Sequence, residues 1–189
     1  MDSILLTGPA AEPLSLDESK LFLRVEHNAD DQLITALITA ARLHIEAQVQ
    51  AALITQNWRL TLDDWPCQGR ILVRPGPLQA VIAARIFDMQ GHAQAVDLQA
   101  FVTVQGASTL SFMSWALPVP GRAAAGVELD LKVGFADAAN DVPQPLRQAI
   151  RLLVAHWYEN RGLVASTGQM AVLPATVAAL IAPYRMLAL

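Results

Sequence analysis

The sequence predicts an α+β fold with a mostly helical core and a central antiparallel β insertion. Apolar residues recur every three or four positions at both ends of the chain, which is typical of amphipathic helices. In the middle they alternate with polar residues, which is typical of half-buried strands. We therefore expect a single domain over 1–189, with helices in 15–52 and 142–189 and a β-rich insertion at 57–135.

Two helices are predicted near the N-terminus. Ser15 and Glu18 have the spacing of a capping box, so a short helix should follow at about 16–24 and bury Leu21 among other apolar residues. An aspartate at 30 or 31 then caps a longer helix at about 31–51. Its predicted buried stripe consists of Leu33, Ile34, Leu37, Ile38, Ala41 and Ile45.

Strands are predicted from Trp58, where apolar and polar side chains alternate as far as Asp63. Residues 88–91 should form a hairpin turn, because Gly91 tolerates a positive φ. Two prolines and a glycine make 115–121 a loop. The further predicted strands are 70–73, 81–87, 94–98, 100–104, 109–112 and 127–133.

A long amphipathic helix is predicted with Asn140 or Asp141 as its cap, Pro143 in its first turn and Gly162 just after its end. A final short helix should start at Pro174 and end or kink near Pro183. The stripe that the long helix should bury consists of Leu146, Ala149, Ile150, Leu153, Val154, Trp157 and Tyr158.

Composition limits the classes of function. The net charge of −4 argues against a dedicated nucleic-acid binder, which needs a basic face. Residues 1–65 carry −6 and residues 66–189 carry +2, so the two halves could meet head to tail between subunits. A hydrophobic content of 53% suggests a permanent interface, and the alternative is an alanine-rich composition without functional meaning.

The cellular setting also follows from composition. A single cysteine, Cys67, allows no intramolecular disulfide and suits synthesis in a reducing cytoplasm. No secretion signal is expected at the start of the chain. The longest apolar stretch, 170–184, is too short to cross a bilayer and contains two prolines, so no membrane association is expected.

No pattern of reactive residues predicts catalysis, a metal or a cofactor. His156 and Glu159 share a helical face, but no third ligand lies near them in sequence. Asp63 and Asp64 should point to opposite sides of a strand, so they cannot converge on one bond. The chain has neither a nucleophile elbow nor a phosphate-binding loop. We therefore expect a protein that is not an enzyme.

Several short segments, in this order along the chain, carry a resemblance to a known family. They are LDESKLFLRV at 16–25, Asp30 with Asp31, LITQNW at 53–58, PLQAV at 77–81, the helix region 142–161 and APYR at 182–185. Together they resemble the head–tail connectors, also called adaptor or head-completion proteins. This family occurs in long-tailed bacteriophages, prophages and phage-derived gene transfer agents.

The resemblance implies a structural role in a virion. It implies a homo-oligomeric ring of twelve copies beneath the portal protein at the head–tail junction, with stopper or tail-side proteins below. DNA would pass through the lumen without sequence-specific binding. Two alternatives remain at this point. A small helical DNA-binding regulatory or packaging protein would need a basic recognition helix, and a small hydrolase would need a site dispersed over loops.

Two interaction sites are predicted. Apolar residues persist to the C-terminus, and the resemblance implies that this segment docks on the portal protein. The alternative is that it packs on the 146–158 helix of its own subunit. Trp115, in the proline-rich loop, is predicted to be an exposed interface aromatic. The residues predicted to dock are Val177, Leu180, Ile181, Tyr184, Arg185, Met186 and Leu187.

Overall fold

The computed structural model describes residues 1–104, 106–160 and 174–185. The chain divides into two compact units. A sheet unit comprises 1–10 and 55–137, and a helical unit comprises 11–54 and 138–189. Of the described residues, 36% are helical and 27% are in strands. The prediction of a mostly helical core is therefore wrong: the fold is mixed α+β, and the strands form two antiparallel sheets with a hydrophobic core of their own.

The sheet unit contains every strand of the described chain. One sheet has the strand order β1-β2-β8-β4-β5 and the other has the order β3-β7-β6, with all neighbours antiparallel. The strands are β1 (Asp2–Thr7), β2 (Gln56–Leu62), β3 (Arg70–Leu72), β4 (Leu78–Phe87), β5 (Ala93–Ala95), β6 (Phe101–Thr103), β7 (Thr109–Phe112) and β8 (Val127–Val133).

Alternation along β2 and β8 builds the centre of the larger sheet. Leu60 and Leu129 are cross-strand neighbours and are buried, whereas Arg59 and Asp130 face the opposite side. The hairpin between β4 and β5 turns through Gly91, whose φ is +85°, as the sequence predicts. This regular alternation explains why most strands could be located in the sequence.

The N-terminal strand β1 was not predicted. All six of its residues are exposed, so the strand has no buried face and leaves no alternating pattern. It pairs with β2 and lies at one edge of the five-stranded sheet. A strand that is positioned only by backbone pairing with a distant strand has no hydrophobic periodicity of its own.

The helical unit contains α1 (Leu16–Leu23), α2 (Asp31–Val49), α3 (Gln144–Glu159) and α4 (Ala175–Ile181). The predicted capping box is present: Ser15 Oγ accepts from the Glu18 amide at 3.1 Å, and Glu18 accepts from the Ser15 amide at 3.0 Å. The predicted burial of Leu21 is wrong, because this side chain is 83% exposed. The buried position of α1 is Ser19, whose hydroxyl donates to the Ser15 carbonyl.

The long helix α3 starts after Pro143 without a side-chain cap, so the predicted cap at Asn140 or Asp141 is wrong. Both residues belong to a separate turn of 3₁₀ helix. The buried face of α3 follows the predicted period as far as Val154 and packs against α2 and α4, whereas Trp157 and Tyr158, which were predicted to be buried, are half-buried. The apolar residues that α2 and α3 bury are Ile34, Ile38, Ala41, Ile45, Val49, Leu146, Ala149, Ile150, Leu153 and Val154.

Buried arginines join distant parts of the helical unit. Arg42 pairs with Glu12 at 2.7 Å and with Glu46 at 2.8 Å. Arg147 pairs with Glu18 at 2.6 Å and donates to the Pro13 carbonyl at 3.0 Å. Because these guanidinium groups are buried, their partners compensate for lost hydration and hold the N-terminal segment against α2 and α3.

Candidate interaction surfaces

The C-terminal helix α4 is built into the helical unit. Val177 and Ile181 are fully buried, one turn apart, and α4 packs on α3. Leu180 and Tyr184 are half-buried. Arg185 is exposed and donates to Gln48 Oε1 at 3.3 Å. The predicted docking residues Met186 and Leu187 lie outside the described residues.

The burial of Val177 and Ile181 restricts how this segment could bind a partner. Both side chains already contribute to the core of their own subunit. The opposite face of α4, which includes Ala175, Thr176 and Ala179, is exposed. Docking of the segment on a portal stays a prediction, and the side chains free to make such a contact lie on this second face.

The loop at 113–121, called the Trp115 loop below, presents large apolar side chains to solvent. Trp115 is 83% exposed and lies in a single turn of 3₁₀ helix, Ser114–Ala116, that follows β7. Met113 and Val119 in the same loop are also exposed. The sequence predicted this exposure of Trp115. Exposed aromatic residues of this kind are enriched at the energetic centres of protein interfaces.

The Trp115 loop is held at three points. Leu117 is buried, the Trp65 indole N–H donates to the Pro118 carbonyl at 2.9 Å, and the Gly121 amide donates to the Phe87 carbonyl at 2.8 Å. A loop fixed in this way loses little conformational entropy on binding. Trp115 is therefore an exposed aromatic on an ordered support.

Trp65 is itself fixed by an aromatic cluster. Its ring centroid lies 5.4 Å from that of Phe112 and 5.8 Å from that of Phe101, and these two phenylalanines are 6.0 Å apart. All three side chains are buried or nearly so. Edge and tilted contacts at these distances are favourable beyond the area they bury. The cluster thus connects the three-stranded sheet to the Trp115 loop.

The polar face of the five-stranded sheet carries a compensated set of charges. Asp130 accepts from Arg59 at 2.7 and 3.0 Å and from Arg85 at 2.8 Å. Glu128 lies 3.6 Å from Arg59 and 3.7 Å from Arg85. The hydrogen bonds from Arg59 lower the pKa of Asp130, although burial opposes this shift, and Arg85 adds to the lowering. These two cations are therefore engaged with carboxylates and are poorly suited to grip phosphates.

We expect Asp130→Asn to lower the free energy of unfolding by about 2 kcal/mol at neutral pH, because charge-assisted hydrogen bonds are lost. The folded-state pKa of Asp130 is lowered, so its contribution is present above the ordinary value of 3.8 and is lost as pH falls through the lower folded-state value. Urea unfolding measures the difference in unfolding free energy between the unsubstituted protein and Asp130→Asn. This difference should become smaller as the pH is lowered from about 7 to about 3. Asp141→Asn, at an exposed position, is the control. A difference in unfolding free energy that does not depend on pH would contradict the stabilising role of the ionised Asp130 carboxylate.

Within the ranges that the structure describes, no three His, Cys, Asp or Glu side chains are grouped so that they could hold a metal ion. Over the same ranges, every helix is too short or too polar to cross a membrane. The features that stand out are an ordered exposed aromatic, an exposed edge strand and a helix buried by its own subunit. These are surfaces through which the protein can contact partners.

Comparison with known proteins identifies the kind of structural protein. The family described as Head completion protein matches residues 12–187, so the chain belongs to that family. No curated protein matches the chain. Its role is structural: it is a head–tail connector of a virion or phage-like particle, as the sequence resemblance implied.

Solved structures of similar fold come from gene transfer agent (GTA) particles. A chain from the neck of an empty GTA particle, computed with C6 symmetry, has a TM-score of 0.82 and 26% identity. A chain from the virion of a native GTA particle has a TM-score of 0.78 and 26% identity. A chain from the neck of a native GTA particle, at 24% identity and a TM-score of 0.73, shares the fold. Each comparison covers 100% of this chain and 97% of the other.

Proposed function

We propose that this protein forms a closed ring of twelve copies beneath a portal protein, joins the capsid vertex to the tail and provides a conduit for DNA. The observation that carries the proposal is the match to a chain from a neck computed with C6 symmetry, which covers 100% of this chain and 97% of that chain. A sixfold axis is compatible with six or twelve copies, and twelve is the number that the family resemblance implies. The function proposed is binding and gating without covalent chemistry.

The structure changes the expected character of the contacts between subunits. The sheet unit has eight acidic and six basic residues, and the helical unit has nine and seven, so each carries −2. The acidic and basic halves of the sequence therefore do not correspond to the structural units. Glu18 from the acidic half pairs with Arg147 and Arg151 from the basic half within one subunit. We therefore expect exposed apolar groups to supply most of the binding free energy between neighbouring subunits of the ring.

Ion pairs on α2 and on the five-stranded sheet disfavour the alternative of a DNA-binding regulator. Such a protein would present basic side chains from a recognition helix. Arg42 is the single arginine or lysine of α2, and it is buried between Glu12 and Glu46. Arg59 and Arg85 on the sheet are likewise paired with acids. A conduit through which DNA slides requires only that phosphates are not held tightly.

Copy number in the particle tests the proposed ring. Single-particle imaging of the neck, without imposed symmetry, should show twelve copies of this chain around the DNA axis. Mass photometry of the purified protein provides a second measurement. Monomers alone together with twelve copies in the particle would show that the ring assembles on its partner. One copy per particle, or none, would exclude the ring.

Trp115→Ala should weaken neck assembly at least tenfold without changing the thermal unfolding midpoint. The side chain is exposed, so its loss removes little packing within the subunit, whereas a buried interface tryptophan is typically worth 2 kcal/mol or more, about thirtyfold in affinity. Assembly is measured as the fraction of particles with a complete neck. Val119→Ala in the same loop is the control for a general effect of trimming this surface. Full assembly of Trp115→Ala particles would exclude Trp115 from the interface.

A further inference from the structure

The edge strand β1 presents an unusual surface for a protein that stays monomeric. Ile4, Leu5 and Leu6 are 58%, 46% and 45% exposed. Ile4 lies opposite Arg59 and Leu5 lies opposite Trp58, so apolar side chains project on both faces of the strand. Among described elements, β1 pairs only with β2, which leaves every second N–H and C=O group on its outer side directed away from the sheet.

Natural proteins usually protect such an edge with lysine, proline or an inward charge. The six residues of β1 include one charged residue, Asp2, and no lysine, arginine or proline. A bulge between Leu5 and Thr7 protects one end of the strand at most. An edge of this length with apolar faces is suited to accept another strand.

The opposite edge of the same sheet is β5, whose three residues are also exposed. Ala93 and Ala95 have small side chains, and the strand contains no charge and no proline. The small side chains of Ala93 and Ala95 leave space beside β5 for the larger side chains of an added strand. Among the strands that the structure describes, this sheet therefore ends in two edges without a further neighbour: β1 carries bulky apolar side chains and β5 carries small ones.

We propose that β1 of one copy pairs with β5 of the next copy, so that the five-stranded sheet continues from subunit to subunit. The inference rests on the proposed ring and names the surface that closes it. Contact between two different edges is heterologous and can propagate around a ring. Pairing of β1 with another β1 would be isologous and would stop at two copies, so it cannot build this assembly.

Rotational symmetry gives the contact a definite side-chain pattern. Rotation about a ring axis keeps the same face of every sheet on the same side of the ring. Ile4 lies on the face of Arg59 and Arg85, and Ala93 and Ala95 lie on that face opposite Phe87 and Arg85. Ile4 should therefore approach Ala93 or Ala95 of the next copy. Leu5 and Gln94 lie on the other face and should approach each other.

Disulfide trapping tests this pattern. In a Cys67→Ser background, the pairs I4C with A93C, I4C with A95C and L5C with Q94C are compared with the mismatched pair I4C with Q94C. A cross-strand disulfide requires Cα atoms within about 7 Å and Cβ atoms directed at each other. All substituted positions are exposed, so the fold of the subunit should be retained. Particles carrying each variant are oxidised and analysed on a non-reducing gel.

At least one face-matched pair should give a ladder of covalent multimers, at least tenfold more abundant than with the mismatched pair. Dimers formed by I4C alone would show β1 against β1 and overturn the inference. Cross-links from I4C to a different neck protein would overturn it as well. Twelve copies in the imaged neck without a ladder from any matched pair would reject the β1–β5 contact and leave the ring intact, whereas absence of a ring would reject the proposed function itself.

Discussion

Ile181→Ala is expected to lower the free energy of unfolding by about 3 kcal/mol, the usual cost of removing a fully buried isoleucine side chain. Ile181 is 0% exposed and lies on the side of α4 that packs in the helical unit. For a chain of this size the melting temperature should fall by roughly 10 °C. Thermal and urea unfolding of the purified protein measure both quantities. A loss below about 1 kcal/mol would show that α4 is not part of the subunit core.

Ala179→Asp is the matched variant for the exposed face of the same helix. Its position is exposed, so we expect a change in unfolding free energy of less than about 0.5 kcal/mol. If this face docks on the portal protein, the new charge should weaken portal binding at least tenfold, because an apolar contact would have to bury it. Portal binding that is unaffected by Ala179→Asp but lost in Ile181→Ala would reject docking through α4 and leave it a core helix.

This pair of variants addresses a question that the sequence could not answer. Val177 and Ile181 recur at helical spacing, and that spacing is the same whether the apolar face packs within the subunit or against a partner. The packing of α4 against α3 shows that both side chains are buried within their own subunit. This packing depends on contacts between residues far apart in sequence. The exposure of Trp115 could be predicted, because the prolines and the glycine around it are local signals.

Elements of the fold that depend on neighbouring residues could be predicted from the sequence, whereas elements that depend on residues far along the chain could not. The capping box at Ser15 and the strands β7 and β8 depend on neighbouring residues, and their predicted positions agree with the structure. The strand β1 depends on pairing with β2, more than fifty residues away, and its exposed residues carry no pattern. The prediction of a mostly helical core is wrong because the strands form a unit with a hydrophobic core of its own, which the alternating pattern of single strands does not reveal.

The ion pairs of the structure could also not be predicted from the sequence. Asp130 pairs with Arg59 and Arg85, which lie on two different strands. Charge counts along the sequence suggested complementary halves of the chain that meet between subunits. Packing instead brings Glu18 to Arg147 in one subunit, so this complementarity is partly used within the fold. For the proposed ring, these internal ion pairs favour lateral contacts through apolar surfaces such as β1 and the Trp115 loop.

Trp65→Ala should have the largest effect of any single substitution considered, a loss of about 4 kcal/mol in the free energy of unfolding. Trp65 is buried, contacts Phe101 and Phe112, and its indole N–H binds the Pro118 carbonyl. The substitution would remove the centre of an aromatic cluster and one anchor of the Trp115 loop together. Chemical denaturation measures the first effect, and the fraction of particles with a complete neck measures the second.

Trp65→Phe separates these two effects. Phenylalanine keeps most of the aromatic packing but cannot donate to Pro118, so we expect a loss of only about 1 to 2 kcal/mol in unfolding free energy. If the loop acts as an ordered support for Trp115, neck assembly should fall more in Trp65→Phe than in a control of equal stability such as Val73→Ala, a buried site in the same unit. Equal assembly of these two variants would show that the anchor stabilises the subunit but does not position Trp115, because a fixed loop should bind better than a mobile one.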